Sequence, residues 1–309
     1  GGAASVVLLP DGRLVSCTPS GRVALWSAVH GGAPLAEAEI EGLFRSFYLC
    51  AVLPDGHRVA IAVNGRTRAP SSIVVWDTRD VLQVARRAID FGDSSQSSAL
   101  AALPSGHLAV GFFTNGALLI VDVDAGAVLA TLVGHSDAVA VLAALPRTGP
   151  GTGSGRLASA CGDRTVRLWD VDARVCVATL AGHTVCVNSL VVLPDGRLAS
   201  GSSDGTVRLW DVGRYVCVGV LQGDTGTHAL VVLPGSNRLA GVSYDDVLQV
   251  WDWDTHEATG GAPRLSVKLA GAEADALVVL PDGRLATGGG RGVRLWQVPL
   301  PLDAAQAPM

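Results

Sequence analysis

An all-β chain folded as a β-propeller is predicted by two observations. Seven apolar runs end in Leu-Pro turns, at Pro10, Pro54, Pro104, Pro146, Pro194, Pro234 and Pro281, spaced 44, 50, 42, 48, 40 and 47 residues apart. Each turn is followed by a second apolar run and then a third, which closes on Trp-Asp or a relative of it. The closers are Trp26-Ser27, Trp76-Asp77, Val121-Asp122, Trp169-Asp170, Trp210-Asp211, Trp251-Asp252 and Trp296-Gln297. A period of this size, with three or four short strands per unit, is the signature of propeller blades.

The unit from Gly182 to Gly223 justifies each element in turn. Ser189 to Leu193 is a continuous apolar run, as expected of a strand buried on both faces. Pro194-Asp195-Gly196 makes a turn, because proline presets φ and glycine accepts positive φ. Arg197 to Ser202 forms a second strand, reversed at Ser203-Asp204-Gly205, a hairpin signal. Thr206 to Trp210 is the third strand, and Tyr215 to Leu221 supplies a fourth on the solvent side. The small residues Ala199, Ser200 and Gly201 allow neighbouring blades to approach closely.

Composition narrows the class. Of 309 residues, 49% are hydrophobic and 17% charged, which excludes a disordered tail. One repeating set of units runs from end to end, so the expectation is a single domain over 1–309, with blades starting near 3, 46, 96, 138, 186, 227 and 275 and a tail at 299–309. The net charge of −5 argues against nonspecific nucleic-acid binding. The six cysteines contain no CxxC pair, and Cys176 and Cys217, in matching Val-Cys-Val contexts, read as small core residues. Neither a disulfide framework nor a zinc site is expected. No apolar stretch reaches membrane-spanning length and no signal-peptide pattern opens the chain, so the expected setting is cytoplasmic, with the nucleus left open.

The Gly182-His183 pair, the Ser203-Asp204-Gly205 turn and the Trp210-Asp211 end closely resemble the WD40 repeat family. Seven such units cover about residues 3 to 298, and the resemblance implies a seven-bladed propeller of four-stranded antiparallel blades. In that family a histidine, a serine or threonine, an aspartate and a tryptophan form a hydrogen-bonded tetrad within a blade. The resemblance assigns these roles to His135, Ser159, Asp163 and Trp169, and to His183, Ser200, Asp204 and Trp210. The physical basis is that a buried imidazole needs a partner on each nitrogen. A Ser-His-Asp set also suits a hydrolase, but its repetition in adjacent blades, with a tryptophan each time, fits a structural device.

The other blades depart from this pattern. Leu43, Asp93, Asp224 and Ala272 stand at the histidine position, Val121 replaces a tryptophan, and Arg291 falls in the turn of blade seven. Blade two has a longer reversal from Asn64 to Ser72, and blade four a Gly-Pro-Thr-Ser insert from Arg147 to Gly155. No Gly-Lys-Ser/Thr follows that insert, so it is no phosphate cradle. No strand precedes Val6 to complete the last blade, which leaves two readings: a three-stranded blade seven, or a strand supplied by further chain.

Function is expected on the rims. The family commonly binds partners on the face bearing the connections from a fourth strand to the next first strand. Alignment of the repeats places Phe44, Arg45, Tyr48, Gln96 and Thr184 there, joined by Phe113, Ser203 and Tyr244 from the turns between second and third strands. Aromatic and arginine clusters make interface hot spots. For Phe47 and Tyr48, packing between blades is the other reading. Trp76-Asp77-Thr78-Arg79 resembles the WDxR ending of substrate receptors in cullin-RING ubiquitin ligases, where Arg79 would dock on the adaptor; a solvated turn is the alternative. Together these features predict a noncatalytic scaffold for proteins or peptides, with no cofactor, metal, small-molecule substrate or membrane, and with nucleic acid disfavoured.

Overall fold

Five of the seven Leu-Pro turns share one construction. The amides of Leu9, Leu53, Leu103, Leu193 and Leu280 each donate at 2.8 Å to the carbonyl that opens the next strand, and each leucine carbonyl accepts from the turn glycine at 2.9 Å. Those glycines, Gly12, Gly56, Gly106, Gly196 and Gly283, have φ between +77° and +89°, which only glycine adopts without strain. In four blades an aspartate seals the turn, in blade two through Asp55, which accepts from the His57 and Arg58 amides at 3.1 and 2.9 Å. Asp11, Asp195 and Asp282 accept from the amides of Arg13, Arg197 and Arg284 at 3.0 Å.

The structure, a computed structural model, describes residues 5–17, 22–27, 33–39, 48–64, 71–80, 89–91, 96–146, 155–253, 259–269, 274–280, 282–289 and 292–297. Its strands fall into seven blades. Blade one is β1 (Ser5–Leu8), β2 (Arg13–Cys17), β3 (Arg22–Ser27) and β4 (Ala36–Glu39); blade two is β5 (Tyr48–Val52), β6 (Arg58–Val63), β7 (Ser72–Asp77) and β8 (Ile89–Asp90). Blade three is β9 (Ser97–Ala102), β10 (Leu108–Phe112), β11 (Leu118–Asp122) and β12 (Ala127–Leu132). Blade four is β13 (Val139–Leu145), β14 (Arg156–Cys161), β15 (Val166–Asp170) and β16 (Val175–Leu180). Blade five is β17 (Val187–Val192), β18 (Leu198–Ser202), β19 (Thr206–Asp211) and β20 (Val216–Gln222). Blade six is β21 (Thr227–Leu233), β22 (Arg238–Ser243), β23 (Val247–Asp252) and β25 (Leu265–Lys268). Blade seven is β26 (Ala274–Val279), β27 (Leu285–Gly289) and β28 (Gly292–Trp296).

Within each blade, consecutive strands pair antiparallel. The first strands touch in a cycle, β1 to β5, β9, β13, β17, β21, β26 and back to β1, which closes the ring. Among the described residues blade seven has three strands, and its junction with blade one is packed by Leu14, Leu280 and Ala286. One pairing lies outside the repeat. β24 (Thr259–Gly261), from the connection within blade six, adds in parallel to the outer edge of β20 in blade five. No helix among the described residues is long and apolar enough to cross a membrane.

The core lies between blades. Ala158, Ala160, Val166 and Leu168 of blade four pack against Leu190, Leu198 and Trp210 of blade five. Ala199, Val207 and Leu209 of blade five meet Leu230, Leu239 and Trp251 of blade six in the same way. The closing tryptophans Trp76, Trp169, Trp210 and Trp251 are therefore fully buried, each worth about 5 kcal/mol of gross burial energy. Val121 fills the equivalent place in blade three, against Ala60 and Val75 of blade two. Asn64, at the start of the longer reversal in blade two, is buried and exchanges two 2.8 Å hydrogen bonds with the backbone of Ser97 in blade three.

Two cysteine expectations are corrected. Cys176 and Cys217 are half-buried and exposed rather than core, because they sit on outer strands, with the Arg167 and Arg208 guanidinium groups 3.8 Å from their sulfurs. Cys17 and Cys50, 33 residues apart, form a disulfide between β2 and β5. The register of two different blades brings them together, which a scan for closely spaced cysteine pairs does not detect.

Candidate functional site

In blades four and five, side chains from three elements converge on a buried hydroxyl. Trp169 Nε1 donates to Ser159 Oγ at 2.8 Å, and Ser159 Oγ lies 2.7 Å from His135 Nε2. His135 Nδ1 lies 2.8 Å from Asp163 Oδ2. In blade five the same distances are 2.7 Å (Trp210–Ser200), 2.8 Å (Ser200–His183) and 2.9 Å (His183–Asp204). Indole N–H can only donate, so the serine oxygen accepts from it and gives its own proton to Nε2; Nδ1 then carries hydrogen and donates to the carboxylate. Burial pushes both imidazoles below their ordinary range, against the pull of the aspartates. Burial also opposes ionisation of Asp163 and Asp204. Hydrogen bonds from Thr165 and His135, and from Thr206, the Thr184 amide and His183, outweigh it and bring both carboxyls to about 2.

This chemistry is self-contained. Ser159 and Ser200 are fully buried, with each hydroxyl committed to histidine and tryptophan. His135, Cys161 and Asp163 also present ligand atoms within 4.8 Å of one another, a geometry a metal could use. Their atoms are already engaged: Cys161 Sγ lies 3.1 Å from the Asp137 carbonyl and accepts from the Asp163 amide at 3.3 Å. Burial raises the Cys161 thiol to about 12, so it stays protonated and is a poor ligand. Where the histidine is missing, other groups take over. In blade six Asp224 accepts from Gln249 at 2.9 Å and Ser266 at 2.7 Å, and Trp251 donates to the Gln222 carbonyl. Trp26 and Trp296 donate to Ser16 and Thr287, with no histidine in either set among the described residues.

The rim above the tetrads carries exposed groups on ordered loops. Thr184 is exposed, and its amide donates to Asp204 at 2.9 Å. Ser202 Oγ bonds the carbonyls of Val185 and Cys186, and the Ser203 amide donates to Cys186 at 3.0 Å. Asn188 Nδ2 donates to Ser203 Oγ at 2.7 Å. Tyr244 is 67% exposed and stacks on His228, ring centroids 4.6 Å apart. In blade three the Phe113 amide donates to the Gln96 carbonyl at 2.9 Å, and the Phe113 ring is 62% exposed. Gln96 and Phe113 are thus bonded directly, while Thr184 bonds Asp204, the neighbour of Ser203. Val185 and His228 join this surface without having been singled out from sequence, since an isolated valine or histidine in a loop carries no pattern.

Other candidates stand elsewhere. Phe44 and Arg45 lie outside the described residues; Tyr48 opens β5, and its side chain lies outside them as well. Arg79 is on the opposite rim, its side chain 66% exposed and its guanidinium gripping Asp77 through contacts of 3.0 and 2.6 Å. That contact, ahead of burial, holds Asp77 at about 2.

Comparison with known proteins agrees with this architecture. The family model for the WD domain, G-beta repeat, matches residues 126–170 and 174–211. No curated protein sequence matches. Among solved structures, the crystal structure of the WD40 beta propeller domain of Doa1 is similar at 17% identity and a TM-score of 0.75, over 97% of this chain and 94% of that one. The likeness is one of fold. The chain is a seven-bladed β-propeller, and its stretches through blades four and five match the WD40 repeat.

Proposed function

We propose that this propeller is a noncatalytic interaction scaffold that binds protein or peptide partners through the rim bearing the Phe113 and Tyr244 loops. The observation that carries the reading is the pairing of two largely exposed aromatic rings with loops hydrogen-bonded to the blades beneath them. Rigid presentation of aromatic surface lowers the ordering cost of binding. The Ser-His-Asp sets support a noncatalytic role because their serines are sealed from any substrate. Gln96, Thr184 and Ser203 would supply polar contacts, and Phe44, Arg45 and Tyr48 would extend the surface around blade two. The cytoplasm is the proposed setting.

The test is quantitative affinity purification of wild type beside Phe113→Ser/Tyr244→Ser, Phe44→Ala/Arg45→Glu/Tyr48→Ala and Arg79→Ala, each checked for folding by circular dichroism. The two rim variants are expected to lose a shared set of proteins that Arg79→Ala retains. Loss with Arg79→Ala alone would move the site to the opposite rim and favour a substrate receptor of a cullin-RING ubiquitin ligase. Identical partners for all four proteins would overturn both readings.

A further inference from the structure

The strand registers align two positions across the blades: the residue after the tetrad-serine position on the second strand, and the first-strand residue that pairs opposite the tetrad-serine position. At successive seams these are Ala62 and Leu100, Gly111 and Leu142, Ala160 and Leu190, Gly201 and Leu230, Val242 and Leu277, and Gly288 and Val6. A small or β-branched residue holds the first position and a branched apolar one the second. Ala62 with Leu100, Ala160 with Leu190 and Val242 with Leu277 share a core cluster, and a Cβ added at Gly201 would stand 3.1 Å from Leu230. At the seam between blades one and two both positions are cysteine, Cys17 and Cys50, and they are bonded. Both are buried, in a cluster with Leu25, Ile61 and Trp76.

On the other side of blade one, fewer buried residues are found among those described. The junction with blade seven has a core of three buried residues among those described, whereas the seam with blade two has eleven. We propose that the Cys17–Cys50 bond is a redox-operated clasp that fixes blade one in the ring, made and broken by low-molecular-weight disulfides and thiols. In the oxidising direction one cysteine thiolate attacks a small disulfide, RSSR, forming a mixed disulfide and expelling RS⁻. The second thiolate attacks the protein sulfur of that mixed disulfide and expels the second RS⁻. The two protons lost by the cysteines end on the two RSH products, and two RSH reverse the reaction. Because the pair is buried, exchange requires the seam to open, while the exposed thiols of Cys186 and Cys217 react without opening.

The full chain is equilibrated with oxidised or reduced glutathione, alkylated under denaturing conditions, and mapped by mass spectrometry without reduction. A Cys17–Cys50 cross-linked peptide is expected only in the oxidised sample, with the other four cysteines alkylated or carrying glutathione. Reduction should lower the melting temperature by roughly 5 °C and accelerate amide exchange in β1 to β3 but not in β17 to β19. The variant Cys17→Ala/Cys50→Leu recreates the Ala160–Leu190 pair, keeps the seam filled, and should melt at one temperature under both conditions. Six alkylated thiols in the oxidised sample, unchanged exchange in blade one on reduction, or a redox response preserved in the double variant would each overturn the clasp.

Discussion

The buried imidazoles couple single residues to pH. In the unfolded chain a histidine takes up a proton near pH 6.5; in the folded one, burial holds His135 and His183 neutral to lower pH. Their contribution is complete above pH 6.5 and is lost as pH falls toward the folded values. Asp163 and Asp204, held at about 2 against an ordinary 3.8, contribute fully above 3.8 and lose that contribution as pH drops to about 2. The melting temperature should therefore be flat above neutrality and decline in two stages below pH 6.5. His183→Leu should cost about 2–3 kcal/mol at pH 7 in denaturant titrations, since Asp204 and Ser200 lose a buried partner. His135→Leu/His183→Leu should lose the upper stage of the decline; a stage retained in the double variant would place the titration elsewhere. The four residues of this network were legible because both blades resemble the WD40 repeat, with each aspartate four and each tryptophan ten residues after its serine. The Gln249–Asp224–Ser266 substitute was not, because it uses different chemistry at the same place.

At the scale of elements, seam packing allows little extra volume. A Cβ at Gly201 would lie 2.5 Å from Ser189 Oγ and 3.2 Å from the Thr227 Cβ, with Leu230 also close. Gly201→Val should destabilise by roughly 1–3 kcal/mol through overpacking of the seam between blades five and six. A shift of less than a few tenths of a kcal/mol in the urea midpoint would contradict that packing. Most strands were readable because a strand buried on both faces is a continuous apolar run. β24 was not, since Thr-Gly-Gly has no strand pattern and gains its place only from the outer edge of β20. Gly261→Pro should release it, seen as faster amide exchange at Val220 and Leu221 with little change in overall stability. Unchanged exchange there would mean that β24 contributes no protection to the edge.

For the whole molecule, the described strands close the ring without one shared between the first and last blades, which places its weakness at that junction. The seven units were visible in the sequence, but the junction was not, because it depends on how the first and last repeats meet. β1 and β26 touch there, backed by Leu14, Leu280 and Ala286; among the described residues blade seven has three strands, and Ala272 stands at its histidine position. Blades four and five hold both complete tetrads and share a core of ten buried residues. A propeller is quasi-repetitive, so its stability is a sum of blade and seam terms, and opening starts at the smallest seam. Native-state hydrogen exchange should show the lowest opening free energy for amides of β26 to β28 and the highest for β14, β15, β18 and β19. Leu280→Ala should lower the former by about 2–4 kcal/mol, on the scale of a core leucine truncation, and leave the latter unchanged until global unfolding takes over. Uniform protection around the ring would mean that the seven blades open as one cooperative unit, and the junction would then be no weaker than its neighbours.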